Sequence, residues 1–177
     1  MLSFLVACAP DPSHDGPIVL ITLDSLRADV VEGLGGEPGL TPEMDKLIRE
    51  ADWAGTAVAS SSWEGSTLAT LFTGLRPWQH QVLHPGRAHL APGLITLAET
   101  LQSAGYETAG TWTGPFYNQI FGFNQGFEVF QNYGKGARLI ERLGRMEDGR
   151  QFVWAHLPGP AAPYLRHDGL LPRLGRT

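Results

Sequence analysis

The segment Ile18-Val-Leu-Ile-Thr-Leu23, followed at once by Asp24, constrains this chain more than any other feature. Six β-branched or apolar residues, nearly uninterrupted and preceded by Gly16-Pro17, have the pattern of a central parallel strand buried on both faces. Such a strand needs neighbours on either side and helices above and below. Asp24 then falls at the strand's carboxyl end, where open α/β sheets bind their ligands. An acid held there is well placed to coordinate a divalent cation. The competing reading is an ordinary helix N-cap, because Ser25-Leu26-Arg27 can open a helical turn after it.

The rest of the chain alternates helical and strand patterns. Thr41-Pro42-Glu43 offers an N-cap, a proline at the first helical position and an acid in the first turn. Met44, Leu47, Ile48 and Ala51 follow at helical spacing and predict a surface helix. Leu68, Leu71, Phe72 and Leu75 predict a short buried helix that begins near Ser66-Thr67 and stops at Gly74 before Pro77. Thr96-Leu-Ala-Glu99 is a capping box for a third helix, with Leu97, Leu101 and Ala104 as its stripe and Gly105 as its C-cap. Tyr106 to Trp112 and Phe152 to Leu157 read as strands, Leu139, Ile140, Leu143 and Met146 as a fourth helix, and Gly114 to Gly126 as an irregular loop. Such alternation predicts a mostly parallel sheet with helices on both faces.

Charge narrows the partners. A net charge of -5 with thirteen scattered Lys and Arg residues leaves no basic stripe for nucleic acid. The single cysteine, Cys8, excludes an intramolecular disulfide framework and a Cys-rich zinc site. Leu5-Val6-Ala7-Cys8 resembles the lipobox of bacterial lipoproteins, which implies a lipid-modified Cys8, membrane attachment and a place in the bacterial cell envelope. Residues 1–16 then read as a signal remnant and tether, and residues 17–177 as the domain. The competing reading is a buried or frayed cysteine, because no Lys or Arg precedes an apolar run too short for a full signal peptide.

Other residues suggest chemistry with equally plain structural alternatives. Ser60-Ser-Ser-Trp-Glu-Gly-Ser-Thr67 leads into the second helix, where free amides and the helix dipole favour an anion such as sulfate or phosphate, although polar residues there commonly serve as caps. His80, His84 and His89 invite a metal reading, yet their mixed spacing beside Pro and Gly fits an exposed loop better. His156 lies in an apolar strand and reads first as a hydrogen-bonded core histidine, then as a weak catalytic candidate.

Taken together, Ile21-Thr-Leu-Asp24-Ser-Leu-Arg27-Ala-Asp29, Thr41-Pro42-x-x-Asp45-x-Leu47, and Ser61-Ser62-Trp63 followed by Leu71-Phe-Thr-Gly-Leu75 resemble the N-terminal signature of the sulfatase family in the alkaline-phosphatase superfamily. The resemblance continues through Thr96-Leu-Ala-Glu-Thr-Leu-x-x-Ala-Gly-Tyr106, Gly126-Phe127 and Phe152-Val-Trp-Ala-His156 to Ala162-Pro163-Tyr164. It implies a three-layer α/β/α sandwich with a mostly parallel sheet, incomplete at its C-terminal side. It also implies a hydrolase of sulfate or phosphate esters that uses a divalent metal, commonly calcium, with Asp24 as the first metal-ligating aspartate.

Three departures accompany the resemblance. The family's nucleophile, a Cys or Ser converted to formylglycine or an unmodified Thr or Ser, stands ten residues before the Gly of the Leu-Thr-Gly-like segment. Here that position is Glu64, with Ser66-Thr67 after it, so formylglycine is not expected. Glu64 is then a candidate metal ligand, and Ser66 and Thr67 are candidate substrate contacts. The family's Asp-Pro-His-x-Pro-Tyr becomes Gly159-Pro-Ala-Ala-Pro-Tyr164, which puts Ala161 at a substrate-contacting histidine. A downstream Asp-His metal pair is matched by nothing before Thr177, since His167-Asp168 has the reverse order and comes too early. The expected protein is therefore sulfatase-like and either a fragment or catalytically impaired, with a non-catalytic binding module on the same fold as the alternative.

Overall fold

A computed structural model describes residues 16–52, 57–85, 89–112, 119–132 and 149–157. Four strands form one parallel sheet: β1 (Ile18–Leu23), β2 (Glu107–Trp112), β3 (Val129–Asn132) and β4 (Gln151–Leu157), in the order β1-β4-β2-β3. Among the described residues four α-helices accompany them: α1 (Pro42–Glu50), α2 (Glu64–Thr73), α3 (Pro77–His80) and α4 (Leu97–Ser103). This is an α/β fold. No helix among the described residues is long and apolar enough to cross a membrane.

The sheet register explains the core. Ile18, Leu20 and Thr22 of β1 pair with Phe152, Trp154 and His156 of β4, so all six share one face. Phe72 of α2 packs edge-on against Trp154 at 4.8 Å between ring centroids, and Phe127 stacks on Phe152 at 5.8 Å. Gly110 belongs to this face too, where a Cβ would meet the Phe130 ring at 2.6 Å. Its missing side chain is what lets the aromatic layer lie flat on β2.

The central, two-sided strand is β4, whose residues Phe152 to His156 are all buried. The sequence pattern had assigned that place to β1, and the structure corrects it: among the described strands β1 is an edge. Its second face leaves Val19, Ile21 and Leu23 at 44%, 53% and 40% exposure. An apolar run records that a segment favours two-sided burial and says nothing of which neighbour covers it.

Helix boundaries follow local chemistry. Thr96 caps α4 as the capping box requires, accepting from Glu99 N at 3.1 Å while Glu99 Oε2 accepts from Thr96 N at 2.7 Å. Gly105, at φ 86°, follows Ala104, which is the C-cap. Gly74 ends α2 at φ 67°, but α2 begins at Glu64, ahead of the expected Ser66-Thr67. Around α1 the expected apolar stripe is only partly covered, with Met44 and Ile48 half-buried and Leu47 at 65% exposure, and the buried residue is Asp45. Asp45 Oδ1 accepts from Gly33 N at 2.8 Å and its carboxylate from the Thr41 hydroxyl, tying α1 to the turns that follow β1. The predicted helix at residues 139–146 lies outside the described residues.

Candidate functional site

The carboxyl ends of β1 and β4 open onto a cleft of about 390 Å³ whose far wall is α2. Asp24 follows β1 directly, and its amide continues the ladder by donating to Leu157 O at 3.2 Å. Ser25 then takes φ 56°, a left-handed conformation that costs a non-glycine residue about 1–2 kcal/mol. Backbone strain of this kind concentrates at functional turns. It reverses the chain at the sheet end, and Asp24 and Ser25 both line the cleft.

Glu64 faces them as the first residue of α2, behind an extended Trp63 N-cap that makes no side-chain cap. A carboxylate there is favoured by the helix dipole by about 0.3–1 kcal/mol. The segment before it is held by its own hydroxyls: Ser61 Oγ accepts from Trp63 N at 3.1 Å, and Thr67 Oγ1 donates to Ser61 O at 3.1 Å. Thr67, Ser61 and Ser62 lie on the cleft wall. Ser66 does not; it turns into the core at 1% exposure, where its Oγ has no hydrogen-bond partner among the described residues.

His156 closes the floor. It is 3% exposed, as the reading of a hydrogen-bonded core histidine expects, and it also lines the cleft. Its Nδ1 lies 2.9 Å from Thr22 Oγ1, which also accepts from Trp154 Nε1 at 3.1 Å, and its Nε2 lies 3.9 Å from Glu64 Oε2. Burial pushes the imidazole below its ordinary value near 6.5, with the Asp24 carboxylate opposing that shift. The ring is therefore neutral at neutral pH. Nothing in β4's composition marked its partner Thr22; the signal was the parallel register that sets Thr22 opposite His156, two residues before Asp24.

His80, His84 and His89 do not assemble, and His80 ends α3 instead of lying in an exposed loop. His80 is buried, with Nδ1 accepting from Val82 N at 3.0 Å and Nε2 at 3.0 Å from Thr70 Oγ1, a satisfied core arrangement whose burial also lowers its affinity for protons. His84 and His89 are exposed and away from the cleft. Cys8, Gly159, Ala161, His167 and Asp168 lie outside the described residues.

Chemically, the described cleft wall carries two carboxylates, one neutral imidazole and no Lys or Arg. That donor set suits a divalent cation and repels a bare anion. As they stand, no three described His, Cys, Asp or Glu side chains are gathered around one point as a finished metal cage.

Comparison with known proteins agrees with the fold. A family model described as Sulfatase matches residues 17–149. A protein in the alkaline phosphatase superfamily from Vibrio parahaemolyticus superimposes with a TM-score of 0.65 at 25% identity, over 88% of this chain and 43% of that one. A protein solved in complex with its substrate D-glucosamine-2-N,6-O-disulfate gives 0.74 at 17% identity, over 91% and 38%. The phosphonate monoester hydrolase of Agrobacterium radiobacter gives 0.69 at 18% identity, over 84% and 42%. The chain thus spans less than half the length of each of these three structures. No curated protein matches it significantly.

Proposed function

We propose, on the premise that this chain belongs to the sulfatase family, that its cleft binds a divalent cation through Asp24 and Glu64 and that it is impaired as a hydrolase of sulfate or phosphate esters. The observation that carries this reading is Glu64: a carboxylate stands at the head of α2, facing Asp24, where the family's motif keeps a nucleophile. A bound cation supplies polarisation of the ester oxygens. The residues themselves do the rest. Asp24 and Glu64 hold charge against it, and Thr67 with the first-turn amides of α2 meets the anionic end of a ligand.

Glu64 is a poor substitute nucleophile. Two like charges brought to about 4 Å at an effective dielectric near 20 repel by about 4 kcal/mol, close to a thousandfold in rate. A carboxylate attacking an anionic ester carries that penalty in addition to its weak nucleophilicity. Aryl sulfate, aryl phosphate and phosphonate monoesters, each tested with calcium, manganese and zinc, are therefore expected to show no turnover above the metal-only background. Robust turnover that disappears in Asp24→Ala would contradict the impairment.

Glu64 equally favours the alternative of a non-catalytic binding module, in which the same cleft captures a sulfated ligand without cleaving it. The sulfated glucosamine bound to one structural relative is the natural first probe. Calcium-dependent binding without hydrolysis supports the module, and no binding with or without calcium removes it. Cys8 is proposed to become the lipidated N-terminus, anchoring residues 17–177 to the cell envelope through the tether that follows it within residues 1–16. An intact-mass measurement of the N-terminal peptide from bacterial expression checks this, and an unmodified Cys8 contradicts it.

A further inference from the structure

His80 joins α2 to the turn that follows α3 through both of its ring nitrogens. Nδ1 accepts from Val82 N at 3.0 Å, and a ring nitrogen that accepts from an amide carries no proton. The proton therefore sits on Nε2, which donates to Thr70 Oγ1 at 3.0 Å. The same hydroxyl accepts from Ser60 Oγ at 2.9 Å, so one chain of bonds runs from the surface through α2 to the amide of Val82. His80 is 2% exposed, and Val82 belongs to the core that Leu68 and Phe72 of α2 help to build.

The turn between the bonded residues is strained. Gln81 takes φ 62°, a left-handed conformation that non-glycine residues rarely adopt, and its amide donates to Pro77 O at 2.9 Å. The Nδ1 bond then brings Val82 back into the core. An imidazolium is a donor at both nitrogens, so a proton on Nδ1 faces the Val82 N–H donor against donor. Flipping the ring puts a C–H there, which accepts nothing either. A buried amide without its acceptor is unfavourable, and opening the turn to water relieves it. Burial lowers the affinity of His80 for protons, and the Ser66 carbonyl raises it. The charged or titratable side chains on the described elements around it are Glu64, which lines the cleft, Arg76, which lies over the Trp78 ring at 5.3 Å, and His84 and His89, which are exposed.

We propose that His80 is an acid-operated latch on α2: a proton on Nδ1 breaks the bond to Val82, opens the turn at residues 80–82 and draws Val82 out of the core. The device acts on the helix that carries Glu64 and Thr67 on the cleft wall, and it stands apart from the cation reading. In the open turn His80 regains its ordinary value near 6.5. The latched form is therefore fully favoured above that pH, and it loses about tenfold against the open form for each unit below it until the latched ring itself takes the proton.

Amide hydrogen exchange of the full chain, followed by NMR from pH 7 to pH 5, tests this, with protection factors removing the intrinsic pH dependence of exchange. Val82 is expected to lose at least about tenfold in protection over that range, starting below about pH 6.5, and to end less protected than Ala155 in the centre of β4, as a local opening requires. His80→Asn keeps an acceptor two residues before the Val82 amide, as in an Asx turn, and takes no proton. Its Val82 protection is expected to change by less than about threefold. Wild-type protection that is unchanged, that falls equally in a folded His80→Asn, or that matches Ala155 at pH 5 overturns the latch. Should His80→Asn fail to fold by circular dichroism, the wild type decides alone: a loss at Val82 confined below about pH 4.5, where carboxylates titrate, overturns it.

Discussion

Asp24→Asn is expected to weaken cation binding by at least about a hundredfold, because it deletes one of the two charges facing the cleft. At about 4 Å and an effective dielectric near 20, one unit charge pair is worth about 4 kcal/mol, and a divalent ion feels more; a hundredfold loss needs only about 2.7 kcal/mol. The fold should tolerate the change. Asn is isosteric, and the ladder bond at this position runs from the Asp24 amide to Leu157 O, not from the side chain. Asp29→Asn is the matched control: Asp29 is exposed, paired with Arg27, and outside the cleft, so its removal should change affinity by less than about twofold. Titration of both variants decides the matter, and equal losses in the two would point to diffuse electrostatics instead of a site.

The largest effect on stability is expected from Gly126→Ala, at about 3 kcal/mol or more. Gly126 has φ 82°, and a Cβ there would stand 2.2 Å from Glu99 N and 2.7 Å from Ala98 C, both backbone atoms of α4. The left-handed conformation costs about 1–2 kcal/mol, and forcing an atom into a packed contact adds about 1–3 kcal/mol. The turn cannot easily move aside. Thr96 Oγ1 donates to Gln125 O and Thr108 Oγ1 to Gly126 O, pinning it between the α4 cap and β2. Gly39 shares the conformation, at φ 84°, with nothing within 4 Å of its Cβ position, so Gly39→Ala should cost only about 1–2 kcal/mol. Urea denaturation of the pair isolates the contact, and equal midpoints would refute the steric account.

Much of this was legible in the residues because the signals were local. The capping box of α4, the glycine that ends α2 and the strands β2 and β4 each declare themselves within a few positions. Asp24 was legible as an acid at a strand's end, and Glu64 only through the family's spacing from Gly74. Strand β3 was not legible: Val129–Asn132 is four residues with one buried aromatic, too short for a period to show. The exposed face of β1 and the surface position of Leu47 depend on which elements lie nearby, and no window of sequence carries that. His156 shows the same limit from the other side. Its apolar strand correctly indicated burial, but its role at the cleft comes from a register with Thr22 across 134 positions of chain.

The central claim is that Asp24 and Glu64 together hold a divalent cation at the carboxyl end of the sheet. Its most direct test is anomalous diffraction from crystals of this chain soaked in manganese or zinc, with data collected at that metal's absorption edge. The account predicts one strong anomalous peak within bonding distance of both carboxylates. A peak elsewhere on the surface, with none between Asp24 and Glu64, would contradict it.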